Sequence, residues 1–170
     1  MKGLKQLIYF LLIALLFTSC GYKPSSKFSR AVLGEKISTS VVISQADPEN
    51  TVLIKDAVDG AIVETLHASL VSRSKSDSHL VFSIAKPSYS AIQYDSNGYV
   101  IAYRMRVTLN IIRYYNGKEK RYSAKGSHDF SITPNAVVTD QDRFDAIKFS
   151  AAKAINSFIA QISSEGAKQK

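Results

Sequence analysis

The side chains best suited to chemistry in this chain are cations. Arg104, Arg106, Arg121 and Lys125 lie in two alternating runs, Tyr99–Tyr115 and Lys118–Ile132. Alternation sends every second side chain of an extended strand to the same side. Arg104 and Arg106 therefore share one face, and Arg121 shares one with Lys125. Arginine presents a planar fork of donors that fits phosphate or carboxylate, and lysine adds a compact point charge. Such a stripe is either a solvated face that keeps a sheet soluble or a contact surface for phosphate on an anionic ligand. Other reactive residue types are scattered. His67, His79 and His128 have no metal-ligand spacing. Gly126-Ser127-His128-Asp129 looks like hydrolase chemistry, but neighbouring strand residues point to opposite faces, so Ser127 and His128 cannot pair as nucleophile and base. There is no phosphate-binding glycine loop, and the single cysteine excludes an intrachain disulfide and a Cys-based zinc site. No enzymatic activity and no cofactor are expected.

Strands must position the cations. Asn-Gly occurs on both sides of the middle run, at Asn97-Gly98 and Asn116-Gly117. These residues tolerate the positive φ that a two-residue type I′ turn needs, so the spacing predicts a three-stranded meander, Leu80–Tyr94, Tyr99–Tyr115 and Lys118–Ile132. A turn at Asn116-Gly117 sets Ile111 opposite Tyr122, Met105 opposite His128 and Tyr103 opposite Phe130. It also places Arg104 by Asp129, Arg106 by Ser127, Thr108 by Lys125 and Ile112 by Arg121, with Asp129 partly neutralising Arg104. A turn at Asn97-Gly98 sets Tyr103 opposite Ile92 and Ile111 opposite Ile84, and leaves Tyr89 exposed beside the stripe. Pro87 cannot donate to a ladder and predicts a bulge or break.

The remaining pattern supplies a first strand, Ile37–Ser44, and a helix opened by Asp47-Pro48-Glu49 and running to about Val71. Ser72–Ser78 and Thr133–Thr139 read as loops. A last helix from Thr139 or Asp140 to about Ser163 carries the apolar stripe Phe144, Ile147, Ala151, Ile155, Phe158 and Ile162, and residues 164–170 form a fraying tail. The order β-α-β-β-β-α, with one apolar sheet face and two amphipathic helices, predicts an α+β two-layer sandwich. Its sheet has four mostly antiparallel strands, with both helices on one face, and the domain spans residues 37–163.

The N-terminus has a different character. Lys2 and Lys5 precede an unbroken apolar run, Leu7–Phe17, and then Thr18-Ser19-Cys20-Gly21. Eleven apolar residues are too few for a comfortable membrane span, which needs about 20. The pattern reads as an export signal over residues 1–19 that resembles a bacterial lipoprotein box, with Cys20 acylated and residues 20–36 serving as a tether. Gly21 follows the cysteine where an inner-membrane retention signal has Asp, which favours outer-membrane sorting. The formal charge of +8 drops by the two lysines to +6 in the mature chain, which suits anionic partners. A nucleic-acid partner is disfavoured because an exported lipoprotein does not meet one.

Taken together, the lipoprotein box leading into Cys20-Gly21-Tyr22-Lys23-Pro24, the helix start Asp47-Pro48-Glu49-Asn50, Asn97-Gly98, Ala102–Asn110 and Tyr122-Ser123-Ala124-Lys125 resemble the lipopolysaccharide-assembly lipoprotein of the LptE type, the small subunit of the outer-membrane lipopolysaccharide translocon. The resemblance implies a non-catalytic protein anchored by lipid on the periplasmic side of the outer membrane. It also implies lipopolysaccharide binding and a partner β-barrel of the LptD type, which the domain plugs and helps to assemble. Arg104, Arg106, Arg121 and Lys125 become candidate lipopolysaccharide contacts. An auxiliary lipoprotein of a lipid-transport ABC system, or of a periplasmic enzyme complex, would share the anchor and the fold class.

Overall fold

The strongest alternation in the chain produces its longest strand, and the other strands assemble around it. The computed structural model describes residues 25–42, 55, 58–60, 63–64, 67–85, 87–134 and 136–168. Its elements are α1 (Ser25–Leu33), β1 (Lys36–Val41), β2 (Ser69–Leu70), β3 (Ser78–Ile84), β4 (Ser88–Tyr94), β5 (Val100–Tyr115), β6 (Lys118–Ser131) and α2 (Asp140–Lys168). Residues 55, 58–60 and 63–64 are helical, and a 3-10 turn occupies Arg73–Lys75. β6 lines one edge of β5, while β3 and β4 lie end to end along the other. β1 joins β3 in parallel and β2 joins β1 in parallel, so the sheet has six strands and is mixed. The expected four-strand, mostly antiparallel sheet is corrected accordingly. Among the described residues, no helix is long and apolar enough to cross a membrane.

The β5–β6 hairpin has the predicted register throughout, including Met105 opposite His128, Ile111 opposite Tyr122 and Thr108 opposite Lys125. Asn116 (φ 47°) and Gly117 (φ 71°) form its two-residue turn. The other hairpin differs by one residue. Asp95 N–H donates to the Tyr99 carbonyl at 2.8 Å, closing a three-residue loop with Gly98 at φ 84°. The Asp95 carboxylate accepts the N–H groups of Asn97 (2.9 Å) and Tyr99 (2.8 Å), and this side-chain capping selects the longer loop. Tyr103 consequently faces Ala91, Met105 faces Tyr89, and Arg106 faces Ser88. The run breaks at Pro87 as expected, and beyond it Ile111 faces Phe82 and Ile84 faces Leu109.

Neither loop glycine has any atom within 4 Å of where a Cβ would sit, so Gly98→Val and Gly117→Val test conformation alone. Each is expected to lower stability by about 1–2 kcal/mol through the left-handed backbone. Lys118→Val, which lacks that constraint, should change the thermal midpoint little.

On the helix face, Leu80, Phe82, Met105, Val107, Leu109, Ile111 and Ala124 pack against Ile147, Ala151, Ile155, Phe158 and Ile162 of α2. Thr139 and Asp142 cap α2 reciprocally, each side chain accepting the other's N–H at 3.1 Å. The helix continues to Lys168, past the Ser163 end and into the expected frayed tail, because Gly166 is buried against α1.

The N-terminal half departs furthest from expectation. The presumed tether holds α1, whose Ser29, Val32 and Leu33 are buried. Gly34, at φ 86°, ends it with its N–H on the Arg30 carbonyl at 2.9 Å. Nine residues make a marginal isolated helix, so α1 depends on its packing against α2. The Asp47-Pro48-Glu49 cap and Ser44 lie outside the described residues. The helix that follows does not reach Val71: His67 has positive φ (50°) and Ser69–Leu70 is β2. Val58 is buried in the same core, and Thr39 Oγ1 donates to Asp59, which places this helical segment on the α2 side of the sheet.

Candidate functional site

The face of β5 and β6 turned away from α2 carries all four candidate cations, but their environments differ. Arg104 binds Asp129 through two bonds, Nε to Oδ1 at 2.6 Å and Nη2 to Oδ2 at 2.7 Å. This charge-assisted fork holds the Asp129 carboxyl below its ordinary range. Arg121 pairs with Glu119 at 3.1 Å on a well-exposed part of the strand. Arg106 and Lys125 have no carboxylate partner among the described residues. Together with Ser88, Val107, Thr108, Gly126 and Ser127 they line a cavity of about 340 Å³. Arg106 Nη1 donates to Ser90 Oγ at 2.9 Å, which orients the guanidinium across the sheet. The structure therefore separates the stripe into two neutralised pairs and one uncompensated cationic pocket.

The one-residue difference in the β4 register decides what surrounds that pocket. It brings Ser88 and Ser90 alongside Arg106 and Arg104, and it turns Tyr89 to the helix side. There Tyr89 packs edge-on to Tyr103, with ring centroids 5.5 Å apart, and beneath Arg143. Tyr89 is exposed, as expected, but it does not flank the stripe. Alternation alone would have found the two serines had the loop been counted as three residues. Next along the face, Ser83, Asn110, Ile112, Arg121 and Ser123 surround a second depression of about 520 Å³. Small hydroxyl and amide side chains, Ser83, Asn110 and Ser123, stand there beside Ile112 and Arg121.

Two further polar residues were not anticipated. His79 is buried at the other end of this face, with Nδ1 2.8 Å from Ser38 Oγ and its ring stacked on Tyr114. Burial, reinforced by nearby Arg73, holds its pKa below the ordinary imidazole value, so it is neutral at pH 7 and adds nothing to the cationic stripe. Arg113 is buried on the helix face, where Nε donates to Ser78 Oγ at 3.1 Å and Nη2 donates to the Val32 carbonyl. Its guanidinium lies 3.9 Å from the centroid of the Tyr115 ring. A cation at the C-terminus of α1 also complements the helix dipole. Its role is to hold α1 in place.

The profile of the lipopolysaccharide-assembly family, LptE, matches residues 38–162. This chain belongs to the LptE lipopolysaccharide-assembly family. The matched span runs from β1 to the last turns of α2 and contains all four candidate cations, while Cys20 and α1 precede it. Solved structures show the same LptE-type fold at low identity. Rare lipoprotein B from Shewanella oneidensis is 14% identical, with 79% of this chain and 98% of that chain covered at a TM-score of 0.52. A putative lipoprotein from Caulobacter crescentus is 12% identical, with 84% and 96% covered at 0.52. A minor lipoprotein from Acinetobacter baumannii is 9% identical, with 79% and 94% covered at 0.52. No curated protein matches the sequence. The LptE match assigns the chain to lipopolysaccharide assembly.

Proposed function

We propose that this protein is an outer-membrane lipoprotein, acylated at Cys20, that binds lipopolysaccharide and plugs and helps assemble the LptD-type barrel that translocates it. The observation that carries the ligand part is the pairing of Arg106 and Lys125 in one serine- and threonine-lined cavity without a carboxylate. Lipid A and core sugars offer phosphates and hydroxyls, which this surface complements. It offers acyl chains little, since five of its seven lining residues carry polar or charged side chains. Arg104 and Arg121, each already satisfied by a carboxylate, play a smaller part. The reading is non-catalytic: the chain acts by holding ligand and barrel. Family membership supports it over an auxiliary role in an ABC transporter or a periplasmic enzyme complex.

Arg106→Glu combined with Lys125→Glu is expected to weaken binding of purified protein to lipopolysaccharide by about 1–3 kcal/mol per contact. Both side chains are exposed, so the melting temperature should move little. Arg121→Glu is the comparison and should have a smaller effect. Equal binding by the double variant and the parent protein would remove the site from this face. Failure to recover a barrel in stoichiometric complex from detergent-solubilised outer membrane would remove the partner.

A further inference from the structure

His79 is a buried titratable group that the proposed site leaves unused. It stands on β3, on the face turned away from α2, and is 8% exposed. Both ring nitrogens meet serine hydroxyls of β1: Nδ1 lies 2.8 Å from Ser38 Oγ, and Nε2 lies 3.3 Å from Ser40 Oγ. Ser38 is also the residue that faces His79 in the parallel β1–β3 register. From Ser38 the bonds run on to the 3-10 turn. Ser38 Oγ lies 2.8 Å from Ser76 Oγ, which donates to the Arg73 carbonyl at 2.9 Å.

A carbonyl only accepts, and each hydroxyl has one proton to donate. Ser76 donates to Arg73, so Ser38 donates to Ser76, and Nδ1–H is left to donate to Ser38. The neutral ring therefore carries its hydrogen on Nδ1 and accepts from Ser40 at Nε2. One continuous chain of bonds links β3, β1 and the Arg73–Lys75 turn. A second proton can enter only at Nε2, where it forces the Ser40 hydroxyl from donor to acceptor. The charge then arrives beside another cation. Arg73 faces the site from the turn, its guanidinium 5.8 Å from the centroid of the Tyr114 ring on which the imidazole stacks at 6.3 Å. Lys75 adds a further positive charge to that turn, and β1 contributes hydroxyls. The carboxylates nearest in register or sequence are engaged elsewhere. Glu119, opposite Tyr114, pairs with Arg121, and Asp77 accepts the N–H groups of Glu35 and Lys36.

We infer that His79 is an acid-operated latch: proton uptake at Nε2 loosens β1 and the Arg73–Lys75 turn from β3, while the β5–β6 hairpin stays closed. β1 suits a movable part, since it has six residues and its other neighbour, β2, has two. Burial and Arg73 hold the folded imidazole below its ordinary value of about 6.5, so the closed state takes up this proton less readily than the open one. Closure is therefore fully favoured above pH 6.5. It weakens as pH falls below that value, by at most about tenfold per pH unit. The latch is a property of the fold and stands independently of the ligand, anchor and barrel proposed above.

Amide hydrogen exchange of the purified protein at pH 7 and pH 5, corrected for intrinsic rates, tests this. The reporters are the ladder amides between β1 and β3, which end at the Val42 N–H on the Phe82 carbonyl (2.8 Å). Their opening should rise at pH 5 by up to about 25-fold, the limit set by a single group of ordinary pKa. The β5–β6 ladder, measured in the same sample, should change little. His79→Gln should abolish the rise. Arg73→Gln, which removes the facing charge but keeps the backbone carbonyl, should reduce it. Equal opening at both pH values, or the same rise in His79→Gln, would overturn the latch. Should His79→Gln fail to fold, the parent's own imidazole decides. Nitrogen NMR should show the Nδ1–H tautomer at pH 7 and a titration midpoint below about 6.5. The Nε2–H tautomer, or a midpoint at or above that value, would overturn the proposal.

Discussion

Replacing Gly126 with valine should be among the most damaging single changes in this protein. Gly126 lies opposite Val107 on the helix face of β6, where α2 rests on the strand backbone. A Cβ there would sit 2.1 Å from the Ser150 carbonyl oxygen and 2.4 Å from the Ala154 nitrogen. Both are helix backbone atoms, so relief requires α2 as a whole to lift from the sheet. That movement would loosen the core packing of Met105, Ala151 and Ile155 and the bond from Ser150 Oγ to the Met105 carbonyl. The expected cost is about 3 kcal/mol or more, at the upper end for overpacking. Even Gly126→Ala should be strongly destabilising, since alanine already carries the clashing atom. Ser127→Val, one residue along on the opposite face, should stay within about 0.5 kcal/mol. Chemical denaturation of the three variants checks this, and equal midpoints for Gly126→Val and Ser127→Val would show that α2 does not lie against β6 at this point.

Phe158→Ala is expected to cost a comparable amount by the opposite mechanism. Phe158 is 2% exposed and meets Phe82 and Tyr122 edge-on, with ring centroids 5.9 and 5.5 Å apart. It ties α2 to both β3 and β6. Truncation leaves a cavity between them and should cost about 3–5 kcal/mol, lowering the thermal midpoint by roughly 6–20 °C for a chain of this size. Phe149, on the same helix, is half exposed and meets the His128 ring at a tilt, with centroids 4.8 Å apart. Phe149→Ala should cost about 1 kcal/mol. Similar midpoints for the two alanine variants would mean that the buried stripe of α2 has been assigned to the wrong face.

The contrast between these two phenylalanines shows how much of the fold was legible. Helical spacing put Phe158 on the apolar stripe and left Phe149 off it, and the structure agrees. Likewise Asn116-Gly117 predicted every β5–β6 pair, because a two-residue turn leaves no freedom of register. Asn97-Gly98 misled by one residue. The same dipeptide sits there in a longer loop because the Asp95 side chain captures two loop N–H groups, a local competition that the dipeptide alone does not reveal. That single step exchanged Tyr89 for Ser88 and Ser90 beside the arginines, and so changed the chemical character of the candidate site.

The sequence by itself determined the α+β class, the central strand, the face on which the four cations stand and the pairing of Arg104 with Asp129. Each of these follows from alternation, helical periodicity or a tight turn, which act over a few residues. Only the tertiary structure decided that Ser25–Leu33 is a helix, that β1 enters the sheet in parallel, that Arg113 is buried and that Gly126 is a point of helix contact. These depend on what packs against them. A nine-residue helix gains its stability from α2, and a buried arginine is tolerated because a distant carbonyl and hydroxyl accept its hydrogen bonds and the Tyr115 ring faces its charge. The division between neutralised and uncompensated cations belongs to both levels. Register brought Arg104 to Asp129, but only the folded sheet placed Ser88 beside Arg106 and gathered Arg106 and Lys125 into one cavity.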